Sequence, residues 1–141
     1  MISIVRPTMP RAPFAAELAA WLEAGIVGTG TPAVGEAAVV VVPEYLRAAP
    51  RVVLAALAAR DWRGTPVAVA AYGGRDRGRR AVEDTREVLT AAGARPTPVS
   101  LGIDVSAVRR HGFDEADVVL RDLVLDELRS GRRPARSRPR G

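Results

Sequence analysis

Residues 37–42 read AAVVVV, an unbroken apolar run held between Glu36 and Pro43. A strand with one wet face alternates apolar and polar residues. A continuous β-branched run has no wet face, so it belongs in the middle of a parallel sheet covered by helices on both sides. Six residues are too few for a buried helix. Residues 66–71, PVAVAA, form a second run of the same kind. Both runs are expected to be central strands.

The rest of the chain alternates around them. Ile2 to Val5 is a candidate first strand, followed by a loop from Arg6 to Pro13 with prolines at 7, 10 and 13. Phe14, Leu18, Trp21 and Leu22 carry helical spacing over Phe14–Ala24, and Gly25 is expected to stop that helix. Residues 25–35, with four glycines and a proline, read as loop. Helices are expected over Pro50–Arg60, Arg79–Ala92 (closed by Gly93) and Asp114–Arg129, and a further strand over Pro98–Ile103. Strand and helix in regular alternation imply an α/β domain with a parallel sheet of four or five strands. In such sheets a ligand sits beyond the carboxyl ends of the strands. The loops Arg6–Pro13, Pro43–Pro50 and Tyr72–Arg80 leave those ends.

Composition removes several chemistries. There is no cysteine, which excludes disulfides, thiolate metal sites and cysteine nucleophiles. One histidine, His111, rules out a multi-histidine metal site, and in the polar stretch Arg109–Gly112 it reads as a solvated loop residue. Ser100, Ser106 and Ser130 lack the context of a hydrolase nucleophile. No apolar run approaches a membrane span and no secretory signal is visible at the N-terminus, so a cytoplasmic protein is expected. All 21 basic residues are arginine, against 16 acids. Five of those arginines fall in residues 130–141, which contain no acid, so the remaining 1–129 is neutral. The expected organisation is one domain, 1–129, and a disordered Arg-rich tail, 130–141. The tail has no aromatic residue to stack on bases, and a nucleic-acid partner is not expected.

Pro43-Glu44-Tyr45 after a buried strand resembles the proline-glutamate-tyrosine-asparagine motif of the NAD(P)H-dependent FMN reductase family, and further matches follow in order. Pro50 stands where that family opens its next helix. Gly64-Thr65-Pro66-Val67 is similar to its entry into the next strand, and Ala71-Tyr72-Gly73-Gly74 to its small-residue turn. Ala92-Gly93-Ala94 and Phe113-Asp114-Glu115 resemble its later turn and the start of its terminal helix. The resemblance spans residues 37–128. It implies a flavodoxin-like three-layer sandwich that binds FMN and reduces it with NADPH. It also implies a cofactor site built from Thr8, Arg11, Pro43, Glu44, Tyr45, Tyr72, Gly73, Gly74 and Arg75. The cofactor does the chemistry, so no catalytic side chain and no metal is implied.

The chain departs from that pattern in two places. The family's phosphate loop is rich in backbone and hydroxyl donors; here it is Arg6-Pro7-Thr8-Met9-Pro10-Arg11, and each proline removes a donor. Leu46 stands in place of the asparagine, and Leu54-Ala55 in place of a lysine-asparagine pair. Second, residues 25–36 replace a whole strand and helix, with Ile26 and Val27 a candidate stub of the missing edge strand. Two functions therefore stay open: a flavin oxidoreductase of quinone-reductase type, or a scaffold that has lost FMN and serves as a partner subunit or non-redox biosynthetic protein. Arg75, Arg77, Arg79 and Arg80 crowd a helix start. Cations there oppose the helix dipole, so they are either solvated or matched by an anionic ligand such as a phosphate of NADPH or FMN. The apolar residues of Pro50–Ala59 exceed what one sheet face needs, which points to a homodimer or higher oligomer.

Overall fold

All seven residues of β2 (Ala37–Pro43) are buried, as are six of the eight in β3 (Pro66–Gly73). The computed structural model describes residues 2–6, 13–29 and 36–130, with backbone alone for 27–29. The two buried strands pair in parallel and form the centre of the sheet. β1 (Ile2–Val5) pairs with β2 on one side. On the other side of β3 lie two short strands in line, β4 (Arg95–Pro96) and β5 (Leu101–Asp104). All pairings are parallel, as the unbroken apolar runs require.

Helices cover both faces. Alternate side chains of the central strands point to opposite sides. Val39, Val41, Ala68, Ala70 and Tyr72 face α1 (Pro13–Thr29) and α5 (Glu115–Ser130), meeting Phe14, Leu18, Leu22, Val124, Leu125 and Leu128. Val40, Val42, Val67, Val69 and Ala71 face α2 (Arg51–Ala58) and α3 (Arg79–Ala91), meeting Val53, Leu57, Trp62, Ala81 and Leu89. Trp62 closes that second core, its Nε1 donating to the Leu57 carbonyl at 2.7 Å. A short α4 (Val105–His111) follows β5, capped by the Asp104 carboxylate on the Ala107 N–H.

Three expectations are corrected. Gly25 does not stop α1, which runs on to Thr29 and takes Ile26 and Val27 with it, so there is no edge-strand stub there. A Cβ on Gly25 would stand 2.6 Å from Arg121 Nε and 2.9 Å from Leu125 Cδ1. The glycine therefore serves helix–helix contact, letting α5 approach, and is not a cap. The strand expected over Pro98–Ile103 begins only at Leu101, as β5, and a separate two-residue β4 precedes it at Arg95–Pro96. Pro98 cannot donate to the ladder; the chain turns at Thr97, whose hydroxyl donates to the Val99 carbonyl at 2.8 Å, and Arg86 from α3 holds the Thr97 carbonyl. Finally, Arg109–His111 is the end of α4, and Gly112, at φ 76°, ends it.

The crossovers are not all of one hand. The strands lie across the sheet in the order β1, β2, β3, then β4 and β5, so each connection steps the same way. Yet α1 lies on one face and α2 and α3 on the other. The β1–α1–β2 connection is therefore opposite in hand to the two that follow. Right-handed crossovers prevail almost without exception in parallel sheets, so this reversal departs from the rule. Helices leaving neighbouring strands for opposite faces open a crevice at the strand ends. Here that occurs between β1 and β2.

Candidate functional site

Pro43 and Tyr72 are register partners at the carboxyl ends of β2 and β3. The ladder continues one step further, with the Glu44 N–H donating to the Tyr72 carbonyl at 2.9 Å. The chain then reverses in two residues. Tyr45 and Ala48 exchange backbone hydrogen bonds of 2.9 and 3.1 Å around Leu46 and Arg47, whose φ values are 53° and 62°. Such a turn suits Asn-Gly. A leucine and an arginine in left-handed backbone cost about 1 kcal/mol each. The turn holds Leu46 fully exposed and Tyr45 43% exposed.

Glu44 reaches across to α3. Its Oε1 accepts the backbone N–H of Arg80 at 3.0 Å and of Ala81 at 3.3 Å. The N-cap residue of α3 is Gly78, which has no side chain to offer, so Glu44 satisfies these helix-start donors from a distance. Glu44 thus supplies an acid to the backbone of this helix start, while the side chains of Arg75, Arg79 and Arg80 are exposed. Burial, and then the neighbouring Asp76 carboxyl, push the Glu44 pKa up, against the lowering effect of the Ala81 and Arg80 N–H groups. Arg77, at φ 58°, turns the other way and stands 3.8 Å from Asp117. Asp117 and Asp114 accept each other's backbone N–H at the start of α5. Burial is the main cause that raises the Asp117 pKa. His111, with Arg77, Asp104, Asp114 and Asp117, lines a small polar pocket of about 50 Å³.

The two glycines after Tyr72 are not equivalent. A Cβ on Gly73 would meet Glu44 Cβ at 3.2 Å, so that position is filled from within. A Cβ on Gly74 would meet nothing within 4 Å. Open space therefore begins at Gly74, beside exposed Arg75. Tyr72 points to the α1 side of the sheet, its ring 5.1 Å from that of Phe14 in the first turn of α1. Its hydroxyl is buried and has no hydrogen-bond partner. Burial foremost, and then the nearby Tyr45, raise its pKa, so the group stays a neutral donor.

Seven of the residues expected at the site, Pro43, Glu44, Tyr45, Tyr72, Gly73, Gly74 and Arg75, are thus gathered on two adjacent strand ends. Thr8 and Arg11 lie outside the described residues. Sequence reasoning did not include Phe14, Asp76 or the strained pair Leu46–Arg47. Only the last carried a signal, a two-residue break between Tyr45 and Ala48 that lacks glycine. On the α2 side, Val5, Val40, Val52, Val53 and Leu57 line an apolar cavity of about 240 Å³, with Arg6 and Arg60 at its margin. Among the described residues no group of acids and histidine could hold a metal ion, and no helix is long and apolar enough to cross a membrane.

No protein-family model matches the chain, and no curated protein sequence does. Solved structures do. A flavodoxin from Streptococcus pneumonia TIGR4 superposes with a TM-score of 0.67 at 19% identity, over 92% of this chain and 97% of that one. A mutant flavodoxin from Pseudomonas aeruginosa gives 0.60 at 19% identity, over 90% and 97%. FerB from Paracoccus denitrificans, described as a flavoenzyme NAD(P)H:(acceptor) oxidoreductase, gives 0.62 at 14% identity, over 90% and 94%. With a parallel sheet, helices on both faces and these neighbours, the chain has a flavodoxin-like fold.

Proposed function

We propose that this chain binds FMN at the carboxyl ends of β2 and β3 and passes reducing equivalents from NAD(P)H to an acceptor. The observation that carries the reading is the open space at Gly74, at the end of the strand that carries buried Tyr72 and next to the strand that leads into exposed Tyr45. Tyr45 offers a flat apolar face to a ring, and Gly74 admits it close to the backbone. Glu44 already fills the start of α3, which leaves the flavin phosphate to the start of α1, near Thr8 and Arg11. Arg75 stands at the rim, where a nicotinamide nucleotide would bring its own phosphates. FMN supplies hydride and electron transfer when bound. The chain's residues hold the ring and exclude water from one side of it. Structural likeness to flavodoxins and to FerB supports a flavin ligand.

A second copy of the chain is the proposed partner. It would cover Val52, 60% exposed, and the apolar cavity beside it. The alternative reading, a scaffold without flavin, is favoured by Leu46, a fully exposed apolar side chain held on strained backbone. Strain of that kind collects at functional contacts, and a protein partner would use it. The purified protein titrated with FMN decides between them. Quenched flavin fluorescence, with NADPH consumed in the presence of a quinone, supports the oxidoreductase. Absence of flavin binding overturns it.

A further inference from the structure

We infer that the Tyr72 hydroxyl is a ligand-binding donor, left without a partner by the fold so that an oxygen of the flavin can accept from it; the inference rests on the flavin reading above. Tyr72 is 5% exposed, and its hydroxyl is one of two buried side-chain polar atoms among the described residues with no hydrogen bond. The other, on Thr85, lies within α3 against the opposite face of the sheet, away from the strand-end loops. Buried polar groups are almost always paired, because an unpaired one forfeits its hydration without return. Such a group at a strand end, where this fold places ligands, calls for a functional reason.

The geometry gives the direction. Tyr72 is the last buried residue of β3 and faces α1, where its ring packs on Phe14. The Tyr45 side chain lies near enough to raise its pKa, by charge and by a side-chain interaction, but the two do not meet in hydrogen-bond geometry. The hydroxyl thus lies on the α1 side of the sheet, near Phe14 of α1 and Tyr45 of the β2–α2 loop. It is held protonated, so it donates. The acceptor is a flavin oxygen, whether a ring carbonyl, a hydroxyl of the ribityl chain or the phosphate.

The substitution Tyr72→Phe removes the oxygen and keeps the ring. If the hydroxyl is unpaired in the free protein, this variant melts about 3–6 °C higher than the unmodified protein without ligand. If the hydroxyl serves the ligand, the same variant binds flavin about tenfold more weakly. Titration with lumiflavin, riboflavin and FMN locates the acceptor. A loss with all three points to the ring, a loss beginning with riboflavin to the ribityl chain, and a loss with FMN alone to the phosphate. A variant that melts lower shows that the hydroxyl has a partner within the protein and overturns the inference. Equal affinities for every flavin, with the unmodified protein binding normally, overturn the inference alone. No flavin binding by the unmodified protein removes the flavin reading and the inference with it.

Discussion

Glu44, on the loop after β2, accepts the backbone N–H of Ala81 on α3, 37 residues away in sequence. This bond and its twin on Arg80 tie the two strand-end loops into one frame. Replacing Glu44 with Ala is expected to cost about 1 kcal/mol, the usual loss for a removed helix cap, as read by urea unfolding. The pH dependence has a definite sign. The folded-state pKa of Glu44 is raised, so the native state holds its proton more tightly than the unfolded chain does. Stability contributed by that proton is present below the ordinary glutamate range and lost as pH climbs through the raised value. Glu44→Gln is expected to flatten that decline. Parallel pH profiles for both proteins would contradict the assignment.

Gly25→Ala tests the contact between α1 and α5. In an isolated helix alanine gains about 1 kcal/mol over glycine. Here the added methyl would meet Arg121 and Leu125, and Arg121 is held by the Trp21 carbonyl at 3.1 Å while stacking on the Trp21 ring. Overpacking of this kind costs about 1–3 kcal/mol. A net loss is expected by thermal unfolding. A gain would mean that Arg121 swings clear.

Gly73, the last residue of β3, and Gly74, the first of the loop after it, could be mistaken for one feature, and substitution separates them. Gly74→Leu is expected to leave the melting temperature within about 2 °C, since its Cβ enters open space, yet to abolish flavin binding. Gly73→Leu is expected to destabilise the fold, because its Cβ meets Glu44. Calorimetric titration with FMN, beside a melting curve for each, reads both effects.

The Leu46–Arg47 turn offers a trade of stability for contact. Replacing the pair with Asn-Gly relieves two left-handed residues, and about 1 kcal/mol of stabilisation is expected. If the exposed Leu46 meets a partner, the same variant loses the association. Val52→Asp is expected to shift light scattering toward the 15.0 kDa monomer. A single monomeric mass for the unmodified protein would remove the second copy.

Much of this architecture was legible because burial on two faces writes itself into β2 and β3 as unbroken apolar runs. The helices followed from the spacing of apolar residues such as Leu18 and Leu22. That Pro43–Tyr45 and Tyr72–Gly74 would meet at neighbouring strand ends was legible, because strand ends follow from strands. How the two loops are tied together was not. That Glu44 would cap α3 depends on how two loops meet 37 residues apart, and no local pattern encodes that. Gly25 misled for the same reason. Locally it reads as a stop, and only the approach of Arg121 shows that the space was needed for another helix. The turn at Thr97 and Pro98 delays β5 to Leu101, where apolar content alone would start the strand at Pro98.

The reversed hand of the first crossover bears on how the molecule comes together. β2, β3 and β5, with α2 and α3, form a run of successive same-handed units in which each strand finds its neighbour through one helix. β1 and α1 cannot join by that route. Their helix lies on the far face, where besides the sheet it meets α5, through Arg121 on Trp21 and Arg129 on Gly25 and Ile26, about 100 residues later in the chain. Contacts of such separation form late. The β1–α1 segment is therefore expected to behave as a unit of its own, the last to dock and the first to open. Amide exchange would show it as a block of early-exchanging protons in residues 2–5 and 13–29. One side of the proposed ligand crevice would then be completed only when the two ends of the chain have met.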